Sequence, residues 1–318
     1  MARSLEGTVA LVTGASRGGT GRSTAIRFAA EGAKVGITAR DQDGLQETVR
    51  RIEEIGGSVL AMPCDLGDPA GGRDTLVART VEAFGPVDIL VNNAVGAEMK
   101  PVEDWTLEEL DFYQQVNVWA PWLLMAAVLP GMRARRRGWI LNLTSATAEL
   151  PPGPPFGHVA RDGYSSYGAT KAAINRLTVA AAAETEGAGI AVNALAPQAT
   201  IATPSVLASG VIEAAAGDDD VMHLFEPVET MAEAVLALCS CDPDVLTGRI
   251  AYSLQLLVEL DRPVYDLTGT HLMEGVQPAD LPGKIRRQIE FHHTTGGPHR
   301  STFDRVWTPM PQAIRDAG

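Results

Sequence analysis

The 318-residue chain has only three cysteines, Cys64, Cys239 and Cys241. So few make no disulfide framework, and a reducing, cytoplasmic setting is expected. Cys239-Ser240-Cys241 stands too alone to hold a metal. His292, His293 and His299 lack nearby cysteines and a helical His-x-x-x-His, so no metal centre is expected. No stretch of 18 uncharged apolar residues occurs, and the start lacks the apolar core of a secretion signal, which argues against a membrane span. Positive charge is scarce: 26 Lys and Arg face 39 Asp and Glu, a net charge of −13. That balance excludes a surface built for nucleic acid. The one basic run, Arg133 to Arg137, ends a long helix expected from about Leu107, where cations complement the helix dipole. There is no internal repeat.

What the chain does have is alternation. Short apolar, β-branched runs near 8–13, 34–39, 58–63, 87–91, 138–143, 189–195 and 249–255 are separated by helical patterns. Strands and helices at this pitch predict an α/β protein with a parallel sheet of about seven strands covered by helices on both faces. Ligands of such sheets bind beyond the C-terminal ends of the strands. Gly14, Asp65, Asn93, Ser145 and Pro197 each stand just after an expected strand.

Two clusters carry chemistry. Glycines at 14, 18, 19 and 21 lie between the strand Thr8–Thr13 and a helix over Arg22–Gly32. This puts backbone N–H groups at a helix N-terminus, where a pyrophosphate binds. The second cluster is Tyr167 and Lys171, four residues apart and so on one helix face, with Ser145 22 residues upstream of the tyrosine. A phenol with a free pKa of roughly 10 is a poor base at neutral pH. A neighbouring ammonium favours the phenolate, and Ser145 can hydrogen-bond the same substrate oxygen.

With these residues in place the chain resembles the short-chain dehydrogenase/reductase family over about residues 5–250. The landmarks come in order: Thr13-Gly14-Ala15-Ser16-Arg17-Gly18, Asp65-Leu66, Asn92-Asn93-Ala94, Asn117, Ser145, Tyr167 with Lys171, and Asn193-Ala194-Leu195-Ala196-Pro197. The resemblance implies a Rossmann-type doubly wound sheet. It also implies hydride transfer between a nicotinamide and a ketone, aldehyde or secondary alcohol. By resemblance Tyr167 is the general acid/base, Lys171 its partner and a ligand of the nicotinamide ribose, Ser145 the holder of the substrate oxygen, and Asn117 the support of a water-linked proton path. The cofactor would meet Gly14, Ser16, Arg17, Gly19, Gly21, Arg40, Asp65, Leu66, Asn93, Ala94, Tyr167, Lys171, Pro197 and Thr200. Three departures stand out. The glycine loop is one residue longer than the family's, with the middle role open between Gly18 and Gly19. Val95 separates Ala94 from Gly96. Gln198 replaces a glycine after Pro197.

Arg40 at the end of the second strand, helped by Arg17, suits a 2′-phosphate, so NADP(H) is the expected cofactor, with NAD(H) second. Asp41 beside it works against that preference. The segment Thr200–Asp220 occupies the place of the family's substrate lid and is rich in Ala, Val, Leu and Ile, which suggests an apolar substrate. The proline-rich stretch Pro151–His158 either rims the substrate cleft or forms a surface loop. The chain divides into a catalytic domain, 1–258, and a C-terminal extension, 259–318. The extension's apolar residues predict packing on the core or on a partner subunit, with a short helix at Lys284–Phe291. Family resemblance implies a homodimer or homotetramer. Two other classes remain: an inactive NADP(H) sensor, and an epimerase or dehydratase of the extended type.

Overall fold

A computed structural model of the chain describes residues 3–151, 153–156, 161–208 and 224–295. Seven parallel strands form the central sheet: β1 (Val9–Thr13), β2 (Lys34–Ala39), β3 (Ser58–Pro63), β4 (Ile89–Asn92), β5 (Gly138–Leu143), β6 (Ile190–Ala196) and β9 (Ile250–Tyr252). A separate short pair, β7 (Thr200–Ile201) and β8 (Phe225–Glu226), lies between β6 and β9 in the chain. The sheet order is β3-β2-β1-β4-β5-β6-β9. The chain starts in the middle, runs outward to β3, then returns beside β1 as β4. That reversal opens a crevice between the C-terminal ends of β1 and β4, where such folds bind ligands.

The helices are α1 (Thr20–Ala30), α2 (Gln42–Glu54), α3 (Leu76–Phe84), α4 (Leu107–Gln114), α5 (Ala120–Arg135), α6 (Ser165–Glu184), α7 (Pro204–Ala208), α8 (Val228–Leu238), α9 (Ser253–Glu259) and α10 (Leu281–Thr295). The two-sided cover explains why β1, β4 and β6 read as unbroken apolar runs: all their residues are buried. One core joins Val12, Ile37 and Leu195 to Phe28 of α1, Leu45 of α2 and Val235 of α8. On the other face Leu11, Leu90 and Val192 pack against Leu76 of α3, Leu124 and Met132 of α5 and Ala181 of α6.

The long helix expected from Leu107 is interrupted. Gln115–Trp119 is a π-helical turn between α4 and α5, in which the Ala120 N–H bonds to Gln115 O, five residues back. The seventh strand is shorter than expected. It stops at Tyr252, because Ser253 turns its hydroxyl to the buried Glu226 carboxylate at 2.8 Å and starts α9. Beyond α9 the chain stays packed: Val264, Val276, Leu281 and Ile285 are buried in the first core. The helix expected at Lys284–Phe291 is the middle of the longer α10. Phe303, Val306 and Trp307 lie outside the described residues, as do Asp218–Asp220 and the side chains of His292, His293 and His299.

Candidate active site

The glycine loop is fixed by residues from three strands. Gly14 follows β1 with φ +70°, a conformation that L side chains rarely adopt, and a Cβ there would come within 2.7 Å of Ala94 Cα. A Cβ on Gly21 would overlap Gly14 O and Asn93 Nδ2. The loop is therefore closed on Asn93, whose Nδ2 donates to Thr13 O at 2.8 Å and Gly14 O at 3.1 Å. Thr13 Oγ1 accepts in turn from Asn93 N at 2.9 Å and Ala94 N at 3.0 Å. Gly19 is the N-cap of α1 and Gly18 lies under Pro204, so the extra residue is absorbed at the helix entry. Arg22, which carries no local sequence signal, braces the loop. It donates to Ser16 O, to Gly44 O at 3.0 Å and to Thr48 Oγ1 at 2.9 Å.

A cavity of about 710 Å³ opens above this loop. It is lined by Gly14, Ser16, Arg17, Thr20, Ala39, Arg40, Asp41, Cys64, Asp65, Leu66, Asn93, Ala94, Val95, Phe112 and Val116. Its glycine end offers amides at the start of α1, and its far end offers apolar walls from Leu66, Val116 and Phe112. Those features fit a dinucleotide, with phosphates at one end and a flat base at the other. Phe112 and Val116 are further site residues that no strand-end rule could supply, because they arrive from α4 and the π turn. Arg40 stands over the Phe112 ring at 5.5 Å and 3.8 Å from Asp65 Oδ2. This ion pair is exposed and weak. Asp41 N-caps α2, accepting from Gly44 N at 3.0 Å, which accounts for an acidic residue beside a cationic site.

The acid–base cluster forms at the ends of β5 and α6. Ser145 follows β5 after Thr144, and its Oγ accepts from Thr147 N at 3.2 Å and Thr147 Oγ1 at 3.0 Å. α6 packs on the turn Ala146–Ala148 that follows Ser145 and brings the Tyr167 hydroxyl toward the Ser145 side chain. Lys171 is buried one turn along α6; its Nζ donates to Leu143 O at 2.7 Å and lies 5.7 Å from the Tyr167 ring centroid. Asn117, in the π turn, clamps Gly96: its Oδ1 accepts from Gly96 N at 2.8 Å and its Nδ2 donates to Gly96 O at 2.9 Å and Thr170 Oγ1 at 3.1 Å. Asn117 thus ties the loop after β4 to the helix that carries Tyr167 and Lys171. Single-turn π insertions recur at functional sites.

The charge balance differs from the sequence expectation. Burial pushes the Tyr167 phenol above its ordinary value, and the Ser145 hydrogen bond offsets this only in part. Lys171 does not reverse it, because its own burial pulls the ammonium down to about 8. The tyrosine is a phenol at neutral pH. The lysine shift also bears on stability. As pH falls, the unfolded chain takes up the lysine proton first. Burial of Lys171 therefore weakens the fold increasingly from about pH 10.5 down to about 8, and by a constant amount below that. Lys171→Met is expected to raise stability by about 1–2 kcal/mol at neutral pH once the lost bond to Leu143 O is subtracted. Urea melts at neutral pH and at high pH check it; the gain disappears at the higher pH.

Thr200 is exposed, in β7, where its N–H donates to Leu224 O at 2.8 Å. The approach to the glycine loop is made three and four residues later. Thr203 Cγ2 lies 3.5 Å from where a Gly19 Cβ would stand, and Pro204 covers Gly18. Pro197 ends the buried strand β6. A second cavity, about 560 Å³, flanks the start of α6 and is lined by Val102, Thr147, Ala148, Glu149, Leu150, Pro151, Tyr164, Gly168 and Ala172 among others.

Residues 8–208 match the family model described as short chain dehydrogenase. The chain belongs to the short-chain dehydrogenase/reductase family. It is an oxidoreductase by that membership. A short chain dehydrogenase of Pseudocercospora fijiensis is 36% identical over 196 residues, 61% of this chain and 60% of the relative. The chain thus spans under two thirds of that relative's length. A NAD-dependent oxidoreductase of Mycobacterium tuberculosis is 35% identical over 240 residues, 71% of this chain and 82% of the relative. A crystal structure of a short chain dehydrogenase from Burkholderia cenocepacia in complex with NADP superposes with a TM-score of 0.65 at 31% identity, covering 78% of this chain and 96% of that one. The Mycobacterium relative is thus named for NAD and the Burkholderia structure holds NADP. No helix among the described residues is long and apolar enough to cross a membrane, and no metal-ligating cluster occurs among them.

Proposed function

We propose that this short-chain dehydrogenase/reductase reduces an apolar ketone or aldehyde with NADP(H), with Tyr167 as the proton donor. The observation that carries the reading is the convergence of Ser145, just beyond β5, with Tyr167 and buried Lys171 on α6, where Lys171 Nζ lies 2.7 Å from Leu143 O and 5.7 Å from the Tyr167 ring centroid. The nicotinamide, when bound, supplies or accepts the hydride. The protein's own groups do the rest. Ser145 and Tyr167 converge on one substrate oxygen. Tyr167 delivers a proton as negative charge develops there. Lys171 and Asn117 hold the helix and the loop that frame the site. A phenol that stays protonated at neutral pH suits reduction. Oxidation of the alcohol needs the phenolate and so gains with rising pH. Val102, Ala148 and Leu150, in the second cavity beside Thr147 and Tyr164, support an apolar substrate.

Nicotinamide absorbance followed across a panel of ketones and aldehydes tests the reading. Oxidation of NADPH matched by alcohol product is expected. Tight binding without turnover across the panel would favour a sensor instead.

Cofactor preference rests on Arg40 and Arg17, both lining the dinucleotide cavity, with Asp41 committed to capping α2. NADPH is expected to bind about tenfold or more tightly than NADH, as one charge-assisted contact allows, and Arg40→Asp reverses the order. Fluorescence titration with both cofactors measures it, and equal affinities for wild type would refute the preference.

We infer residues 1–258 to be the catalytic unit and 259–318 an extension that completes it. Trp119, at the end of the π turn, and Trp122 and Leu123 on α5 are each nearly half exposed, at 47%, 49% and 48%. This apolar surface supports a homo-oligomer joined through the long helices. The free cysteines support a cytoplasmic setting.

A further inference from the structure

Gln198 takes the place where the family has glycine, and it is fully buried. Its side chain points at the C-terminal extension: Nε2 donates to Gln288 Oε1 at 2.7 Å, and Gln288 Nε2 donates back to the Gln198 carbonyl. Gln288 is itself 2% exposed, on α10. Gln198 Oε1 has no partner among the described residues, so Gln288 is what holds this side chain. The same short segment is pinned from below. Gln198 N donates to Ser253 Oγ at 2.9 Å, and Ala199 N to Glu226 Oε1 at 3.0 Å. Ala202 N donates to Glu226 O at 2.8 Å. Five residues after Gln198 the segment delivers Thr203 and Pro204 to the glycine loop, against Gly19 and Gly18.

We propose that Gln288 is a positioning residue for the dinucleotide site: through Gln198 it sets the path of the segment from Pro197 to Pro204, and so makes α10 part of cofactor retention. The chemistry favours this over simple packing. Two amides bonded reciprocally fix a direction as well as a distance. An apolar pair of the same volume would fill the space without dictating where Ala199–Pro204 runs. The segment's other anchors, Glu226 and Ser253, belong to the core. Gln288 brings the extension into contact with it through a reciprocal pair of hydrogen bonds.

The proposal rests on the nicotinamide reading above, and one of its readouts does not need a cofactor. Gln288→Ala, Gln198→Gly and the double variant would be made in the full chain. Hydrogen–deuterium exchange of the free proteins is expected to show the Ala199–Leu207 amides exchanging about tenfold faster in each single variant. NADPH titration is expected to show dissociation constants raised about tenfold. The double variant is expected to be no worse than Gln288→Ala alone, because Gln288→Ala already breaks both bonds whereas Gln198→Gly breaks only the one from Gln198 Nε2. Additive losses, or unchanged exchange in Ala199–Leu207, would overturn the proposal. If Gln288→Ala does not fold, Gln288→Glu keeps the acceptor for Gln198 Nε2 and sets a carboxylate against the Gln198 carbonyl. It must loosen the same amides. Wild type that fails to bind any nicotinamide nucleotide, with exchange changed as expected, would sink the cofactor reading and leave the link between Gln288 and the segment standing.

Discussion

Tyr167→Phe is expected to lower turnover about 10²–10⁴-fold, the usual contribution of a general acid or base, while NADPH still binds. The dinucleotide cavity is built from the glycine loop and the ends of β2, β3 and β4, and Tyr167 is not among its lining residues. The substitution removes one oxygen and keeps the ring. Ser145 Oγ still accepts from Thr147 N and Thr147 Oγ1. Burial has already raised the phenol, so the proton that phenylalanine lacks is present in the wild type throughout the neutral range. Stopped-flow absorbance of NADPH oxidation and fluorescence titration separate the two effects. Turnover within a few-fold of wild type would move attention to Tyr164, three residues earlier and also raised by burial.

Glu233→Ala is expected to destabilise the fold by about 3–5 kcal/mol, the cost of breaking a buried pair and leaving its cation behind. Glu233 is fully buried on α8. Its Oε1 accepts from Arg27 Nε of α1 at 2.7 Å, and its Oε2 faces Arg262 Nε, beyond α9, at 3.4 Å. Arg27 is 3% exposed, so alanine would leave it with Glu31 alone, at 2.6 Å. Urea melts followed by circular dichroism would measure the loss. A change under 1 kcal/mol, the level of an exposed pair, would show that water reaches Arg27 readily. The double variant Arg27→Leu/Glu233→Leu should recover most of the stability, since replacing both charges removes the unpaired one.

The parts of the fold visible in the sequence were those with local causes. β1, β2, β3 and β5 follow from unbroken apolar runs between glycine turns, and sheet neighbours follow from chain alternation. Ser145, Tyr167 and Lys171 meet because a strand end and an i, i+4 helical pair are local geometries. What escaped depends on distant partners. Nothing near Gln198 foretells Gln288, 90 residues on. Arg22 looks like any surface arginine until Ser16, Gly44 and Thr48 fold around it. Ser253 ends β9 early because Glu226 arrives on β8 to receive its hydroxyl. The Tyr167 phenol is shifted opposite to the sequence expectation for a related reason. Spacing shows which charges are near, whereas burial is a property of the assembled site.

The π turn at Gln115–Trp119 separates two demands that an unbroken helix would have to meet together. One extra residue in a turn advances all later side chains by about 100° relative to the helix before it. Asn117 can therefore reach Gly96 and Thr170 while Leu124, Val128 and Met132 of α5 keep their own alignment on the sheet. Removing one residue from the turn would give a plain helix. Either Asn117 would swing away from Gly96, or the whole of α5 would rotate out of its core. A one-residue deletion in this stretch is therefore expected to be far more damaging than a point substitution at one of its exposed positions. Length variation among descendants of this chain should collect elsewhere, in loops such as Gly153–Phe156 that join elements without setting their phase.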